Sequence, residues 1–279
     1  MLRVKTLLPE DFDFAIHITD KMNWQLSRED FAFMLELEPE GCFVLFSDSE
    51  RIGIATTIIF DKTGWFGNLI VNEGYRQKGA GSLMVNHALR YLKSKDIETV
   101  GLYAYMNRIP FYERLGFSKD SEFTVLSGKA ISSPVENDVR RAEERDIDRI
   151  IDYDRLCFGG SRKKLLGPII SDRDNLTYMS IENGQILGYA VAKVYKGMAE
   201  LGPLICKQGR DDVATNLLST IFNELKGFEV SMYASSKDRS ILKVLKASGL
   251  RKDFAVARMF SGPPLDTNCI YVAESLERG

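Results

Sequence analysis

Cysteine and histidine are scarce in this chain: four cysteines (Cys42, Cys157, Cys206, Cys269) and two histidines (His17, His87) are scattered over 279 residues. No C-x-x-C pair or histidine cluster stands among them, so no metal site is expected, and the thiols are expected to be free and buried. A charge excess is also lacking. Thirty-seven lysines and arginines nearly balance 39 aspartates and glutamates, which leaves no overall field to gather nucleic acid or an anionic membrane. No stretch approaches about 18 uninterrupted apolar residues, and the opening residues 1–10 have no long apolar core of a secretory leader. The expectation is a cytoplasmic, soluble protein with neither nucleic acid nor membrane as partner.

With 44% apolar residues the chain can bury two cores of ordinary size. Apolar periodicity predicts helices over 12–18 and from Ser27, strands over 42–46, 52–60 and 65–71, and a helix through Leu83, Met84, Ala88, Leu89 and Leu92. A strand over 100–104, a short helix over 111–115 stopped by Gly116 and a strand near 123–126 complete the half. The same order returns: helices 142–156 and 161–170, a hairpin across Asn183-Gly184, strand 199–206, helix 211–225, strand 228–234, helix 239–248 and strand 254–260. Gly53 recurs as Gly188, Leu69 as Leu201 and Gly116 as Gly249, at a nearly constant offset of about half the chain, which indicates duplication. The expected units are residues 1–130 and 138–279, with a polar linker over 127–137. The fold class is α/β with a mixed sheet, built from two tandem copies of one fold.

The chemistry concentrates in the first copy. A strand through Asn68-Leu69-Ile70-Val71 runs into Asn-Glu73-Gly-Tyr-Arg76-Gln77-Lys78-Gly79-Ala80-Gly81-Ser82, and that loop opens directly into a helix. Glycines let successive N–H groups converge without obstruction, and the helix N-terminus adds about half a positive charge, so the loop reads as a phosphate cradle. It is not a P-loop, because Ala80-Gly81 stands where Lys-Ser or Lys-Thr is required. A dinucleotide fingerprint fails too, with Met84 at its third glycine and three strands ahead of the loop instead of one.

The motif Arg76-x-x-Gly79-x-Gly81, followed about 30 residues later by Phe111-Tyr112-Glu-Arg-Leu115-Gly116-Phe117, resembles the GNAT superfamily of N-acetyltransferases. The two halves together, with Asn23-Trp24 and Leu201-Gly-Pro-Leu204, resemble its tandem-domain YitH-like subgroup. The resemblance implies that the backbone of Gln77 to Ser82, with Arg76 and Lys78 nearby, holds the pyrophosphate of acetyl-CoA. It implies that strand residues Leu69 to Val71 grip the pantetheine arm, that an N–H around Ile70 and Val71 holds the oxyanion, and that Tyr112 is the general acid on the departing thiolate. Asn107 is a partial match to a cofactor contact, five residues before Tyr112 where the family often has seven. The nearest acidic candidate for the general base is Glu73. Trp24 with Tyr103 or Tyr105 is expected to wall an acceptor pocket that the second copy closes with carboxylates.

In the second copy the loop reads Gly209-Arg210-Asp211-Asp212, and Leu245 takes the place of Tyr112. Aspartates at a pyrophosphate site repel it, so this copy is expected to keep the fold without the cofactor. The expected function is acetyl transfer from acetyl-CoA to a primary amine by direct attack through a tetrahedral intermediate. The alternative is a non-catalytic coenzyme A thioester sensor or a scaffold. The acceptor is a small-molecule or peptide amine, and a homodimer is expected only from the general frequency of symmetric pairs.

Overall fold

The computed structural model describes residues 1–132, 134, 139–265 and 268–279. The first half runs β1 (Leu2–Thr6), α1 (Phe12–Asp20), α2 (Arg28–Leu37), β2 (Cys42–Ser47), β3 (Glu50–Phe60), β4 (Thr63–Val71), α3 (Ala80–Ser94), β5 (Thr99–Tyr105), α4 (Ile109–Glu113) and β6 (Ser118–Lys129). The second runs β7 (Val139–Arg141), α5 (Ile147–Phe158), α6 (Lys163–Ser171), β8 (Leu176–Glu182), β9 (Gln185–Tyr195), β10 (Met198–Lys207), α7 (Asp211–Glu224), β11 (Glu229–Ser235), α8 (Arg239–Ala247) and β12 (Arg251–Ser261), and closes on β13 (Cys269–Val272). Local chemistry explains the sharpest boundaries. Ser27 and Asp30 exchange side-chain and backbone bonds across the first turn of α2, a capping box. Asn183 and Gly184 both take positive φ (51° and 79°), as a two-residue turn joining β8 to β9 demands.

All thirteen strands of the described residues join in one sheet, ordered β1-β2-β3-β4-β5-β12-β6-β11-β13-β10-β9-β8-β7. The sixth strand of each half pairs with the fifth strand of the other: β12 lies against β5 and β6 against β11, with β6 and β12 antiparallel between them. The halves therefore exchange strands as well as touching. A core cluster that includes Ile58, Phe60, Trp65 and Phe123 from the first half with Phe158, Leu165, Tyr189 and Tyr271 from the second packs them together.

Several expectations are corrected here. β1, β7 and β13 escape the pattern reading, being short or charged, with no clear alternation. Strand β6 runs through residue 129, so the first three residues of the expected linker belong to the sheet; Ser133 and residues 135–137 of that linker lie outside the described residues. Cys42 and Cys206 are free and buried as expected, but Cys157 and Cys269, 112 positions apart, are joined in a disulfide that ties α5 to β13. Spacing in sequence carried no sign of that meeting.

Candidate active site

Strands β4 and β5 pair in parallel only at Thr63↔Thr99, Gly64↔Val100 and Trp65↔Gly101. Beyond Trp65 they part. The register of β3 on β4 slips between Ile54 and Thr56, and Asn68 takes φ 51° there, fixed by a bond from its side-chain amide to Thr56 Oγ1 (3.1 Å). This bulge turns the backbone of residues 68–71 toward the gap. A cavity of about 1770 Å³ opens between the parted strands, with Phe66 to Val71 and Tyr103 to Tyr105 along its sides.

At one end lies the glycine loop. Gln77 and Gly79 have φ 60° and 83°, a conformation glycine adopts without a steric penalty. Gly79 caps α3 with no side chain on the first-turn N–H groups, which therefore face outward unpaired by the helix. Gly81 is tight against α4, since a Cβ there would stand 3.3 Å from the Phe111 ring. Arg76 ties the loop to β4 through Nε to the Val71 carbonyl (2.8 Å). Arg76, Gln77, Gly79, Gly81 and Ser82 line the cavity. Lys78 and Ala80 do not: Lys78 Nζ donates to the Gly74 carbonyl (2.8 Å) and the Ala80 methyl is buried in the core of the first half.

Tyr112 projects from α4 into the same cavity, held between the rings of Phe111 and Phe117 at 4.9 and 5.8 Å. Burial pushes its phenol well above the usual range, and Arg108 only partly offsets this; it stays protonated at neutral pH. Asn107 also lines the cavity. Glu73 is placed elsewhere: its side chain is 88% exposed, 3.4 Å from Arg76, and borders a smaller adjoining cleft with Ile18 and Lys21, which shares Ile70, Val71 and Arg76 with the main cavity.

The far end is built by both halves. Trp24 Nε1 donates to the Tyr105 hydroxyl (3.1 Å), and Tyr105 lies 5.5 Å from the ring of Phe254 on β12. Tyr103 packs against Trp65 in a tilted contact and edge-on against Phe123, and its buried hydroxyl has no partner among the described residues. The second half adds Tyr195, Glu200, Glu229 and Tyr233, and the segment after β13 adds Leu276, Glu277 and Arg278. The sequence reading missed that segment, because its charged, irregular composition matches no strand or helix period.

In the second half the corresponding gap is filled. β10 and β11 pair in parallel over Met198–Leu201 and then part, but β13 enters between them. It pairs Leu204↔Val272 through Lys207↔Cys269 on one side and Ala234↔Val272 on the other. Arg210 and Asp212, which replace Gly79 and Gly81, bond to each other (2.9 Å), and Leu245 is wholly buried.

Residues 6–117 match the family described as the acetyltransferase (GNAT) family and residues 150–272 match one described as an acetyltransferase (GNAT) domain. The chain is 23% identical over 198 residues to an uncharacterised N-acetyltransferase, YitH, of Bacillus subtilis, covering 70% of this chain and 68% of that protein. Among solved structures its fold is similar to that of a proposed acetyltransferase from Pyrococcus horikoshii (TM-score 0.82, 20% identity, 100% and 96% of the two chains). It is also similar to a tandem GNAT protein from the clavulanic acid biosynthesis pathway (TM-score 0.65, 12% identity, 95% and 100%).

Proposed function

This chain belongs to the GNAT acetyltransferase superfamily, with two of its domains in tandem, and from that premise we propose that it is an acetyl-CoA-dependent N-acetyltransferase whose one working site lies in the first domain. A single observation carries the reading: one continuous cavity touches the glycine loop, the parted edges of β4 and β5, and Tyr112. Bound acetyl-CoA supplies an activated acetyl thioester. The loop suits its pyrophosphate, because backbone donors at an uncapped helix start and the φ of Gly79 leave room for anionic oxygens. The backbone of β4 and β5, unpaired with each other past Trp65, offers main-chain groups for the pantetheine arm. An N–H of the bulged stretch near Ile70 and Val71 serves the developing oxyanion.

The acceptor amine attacks directly, through a tetrahedral intermediate, and no acyl-enzyme is required; none of the four cysteines lines the cavity. Tyr112, kept protonated by its burial, gives its proton to the departing thiolate. Coenzyme A release measured over a panel of polyamines, aminoglycosides, amino acids and peptide amines tests the proposal. Tyr112→Phe should lower kcat by about 10²–10⁴-fold, the usual worth of a placed acid, while acetyl-CoA affinity stays within twofold. An unchanged kcat would remove Tyr112 from the reaction.

A further inference from the structure

The segment that leaves β13 crosses from the second domain to the first. Its residues 274–279 close a turn, with Glu274 N donating to the Gly279 carbonyl at 3.0 Å, and the turn lies on β4. Trp65 Nε1 reaches the Leu276 carbonyl (3.5 Å). Against Gly67 the approach is so close that a Cβ there would stand 2.6 Å from Glu277 Cβ. Only glycine admits this packing, and Gly67 immediately precedes the bulge at Asn68. The turn is anchored from the second domain, where the buried carboxylate of Glu274 binds Lys193 of β9 and Arg278. The cavity thus runs from the loop, along the bulge, to Glu277. With phosphates on the loop and an acyl end beside the bulge, the part of the cavity left for an acceptor includes Glu277.

We propose that Glu277, delivered by the second domain, is the carboxylate that receives the acceptor amine in the cavity of the first and takes its proton; this rests on the acetyltransferase reading above. The incoming ammonium gives one proton to Glu277, leaving a neutral nitrogen. The C–N bond forms, the C–S bond breaks, and the thiolate takes the phenolic proton of Tyr112. The second nitrogen proton, lost as the amide forms, restores Tyr112 through solvent, and Glu277 releases its own to solvent. One N-acetyl product, one thiol and one proton leave.

Position favours Glu277 over Glu73, which is exposed to solvent and does not line the main cavity. Its side chain is 18% exposed and lines the cavity. The charged groups around it are Arg278 (3.2 Å) and Glu274 on its own segment, Glu200 on β10 and Lys193 on β9, with the Tyr233 phenol on β11. From β4 it meets the neutral Gly67. Burial raises its carboxyl above the ordinary range; Arg278 opposes this, Glu200 and Glu274 add to it, and Lys193 opposes. A group with a raised pKa loses its accepting form at a higher pH than usual, so the acid limb should lie above about 4.3, the ordinary glutamate value.

The test uses the full chain, acetyl-CoA and the panel amine of highest kcat/KM. Glu277→Gln should lower kcat/KM for that amine by about 10²-fold or more at pH 7, leave acetyl-CoA affinity unchanged, and weaken calorimetric binding of the amine to the coenzyme A complex. Its rate should climb tenfold per pH unit toward the pKa of the free amine, where the wild type is flat. Glu277→Asp, which keeps the charge, should retain the wild-type profile at a reduced rate, and serves also should Glu277→Gln fold poorly. A Gln variant within threefold of wild type with the same profile, or an Asp variant with the steep profile, overturns the proposal while the acetyltransferase reading stands. A wild type that acetylates no panel amine overturns both.

Discussion

Single residues decide most at the seam between domains. Arg162 is fully buried and places Nε and Nη2 on the two oxygens of buried Asp154 at 3.0 and 2.6 Å, with Nη1 on the Gly279 carbonyl at 2.8 Å. Its face lies 4.2 Å from the Phe158 ring centre. Such a pair contributes little against a well-packed apolar substitute, but removing one partner strands a buried charge. Arg162→Met should therefore cost about 3–5 kcal/mol in urea unfolding at pH 7, and Arg162→Met with Asp154→Leu should recover most of it. A single variant as stable as wild type would mean that Asp154 is already compensated by the Tyr189 hydroxyl that also binds it. Nothing in the sequence marks this pair: Arg162 sits in a basic run beside Lys163 and Lys164, where a solvated face is the natural reading. Glu277 was hidden for the same reason, since the burial of a charge depends on the tertiary packing around it. The motifs around Gly79 and Tyr112, by contrast, are built from neighbouring residues, and their spacing displayed them.

At the scale of elements, the motifs that depend on neighbouring residues were legible: the capping box of α2, the Asn183-Gly184 turn, and the loop feeding α3. The strand exchange was not, because β6 and β12 have the same alternation whichever fifth strand they join. β13 changes the explanation for the second domain. The aspartates of its loop suggest loss of phosphate binding by repulsion, yet Arg210 neutralises Asp212, and the groove itself is occupied by β13. Arg210→Gly combined with Asp212→Gly should then leave acetyl-CoA stoichiometry at one per chain by calorimetry. A rise to two would show that the loop alone had silenced this copy.

Over the whole molecule, duplication has produced a division of labour. One copy keeps an open groove, the glycine loop and Tyr112; the other fills its groove with β13, and its closing turn, residues 274–279, borders the neighbour's cavity. Exchange of β6 and β12 and the mixed core at Trp65, Phe158 and Tyr271 fix the two in one sheet, which holds Glu277 and Phe254 of the second domain against the cavity of the first. The half-chain repeat made the duplication visible in sequence, but a shared site is a property of assembly that no periodicity encodes. The most direct test is isothermal titration of the purified chain with acetyl-CoA, beside Gly81→Glu, whose carboxylate would stand against Phe111 and in the anion site. One site per chain, abolished in the variant, is the expected result; two sites, or binding that survives the variant, would contradict a single working groove at the start of α3.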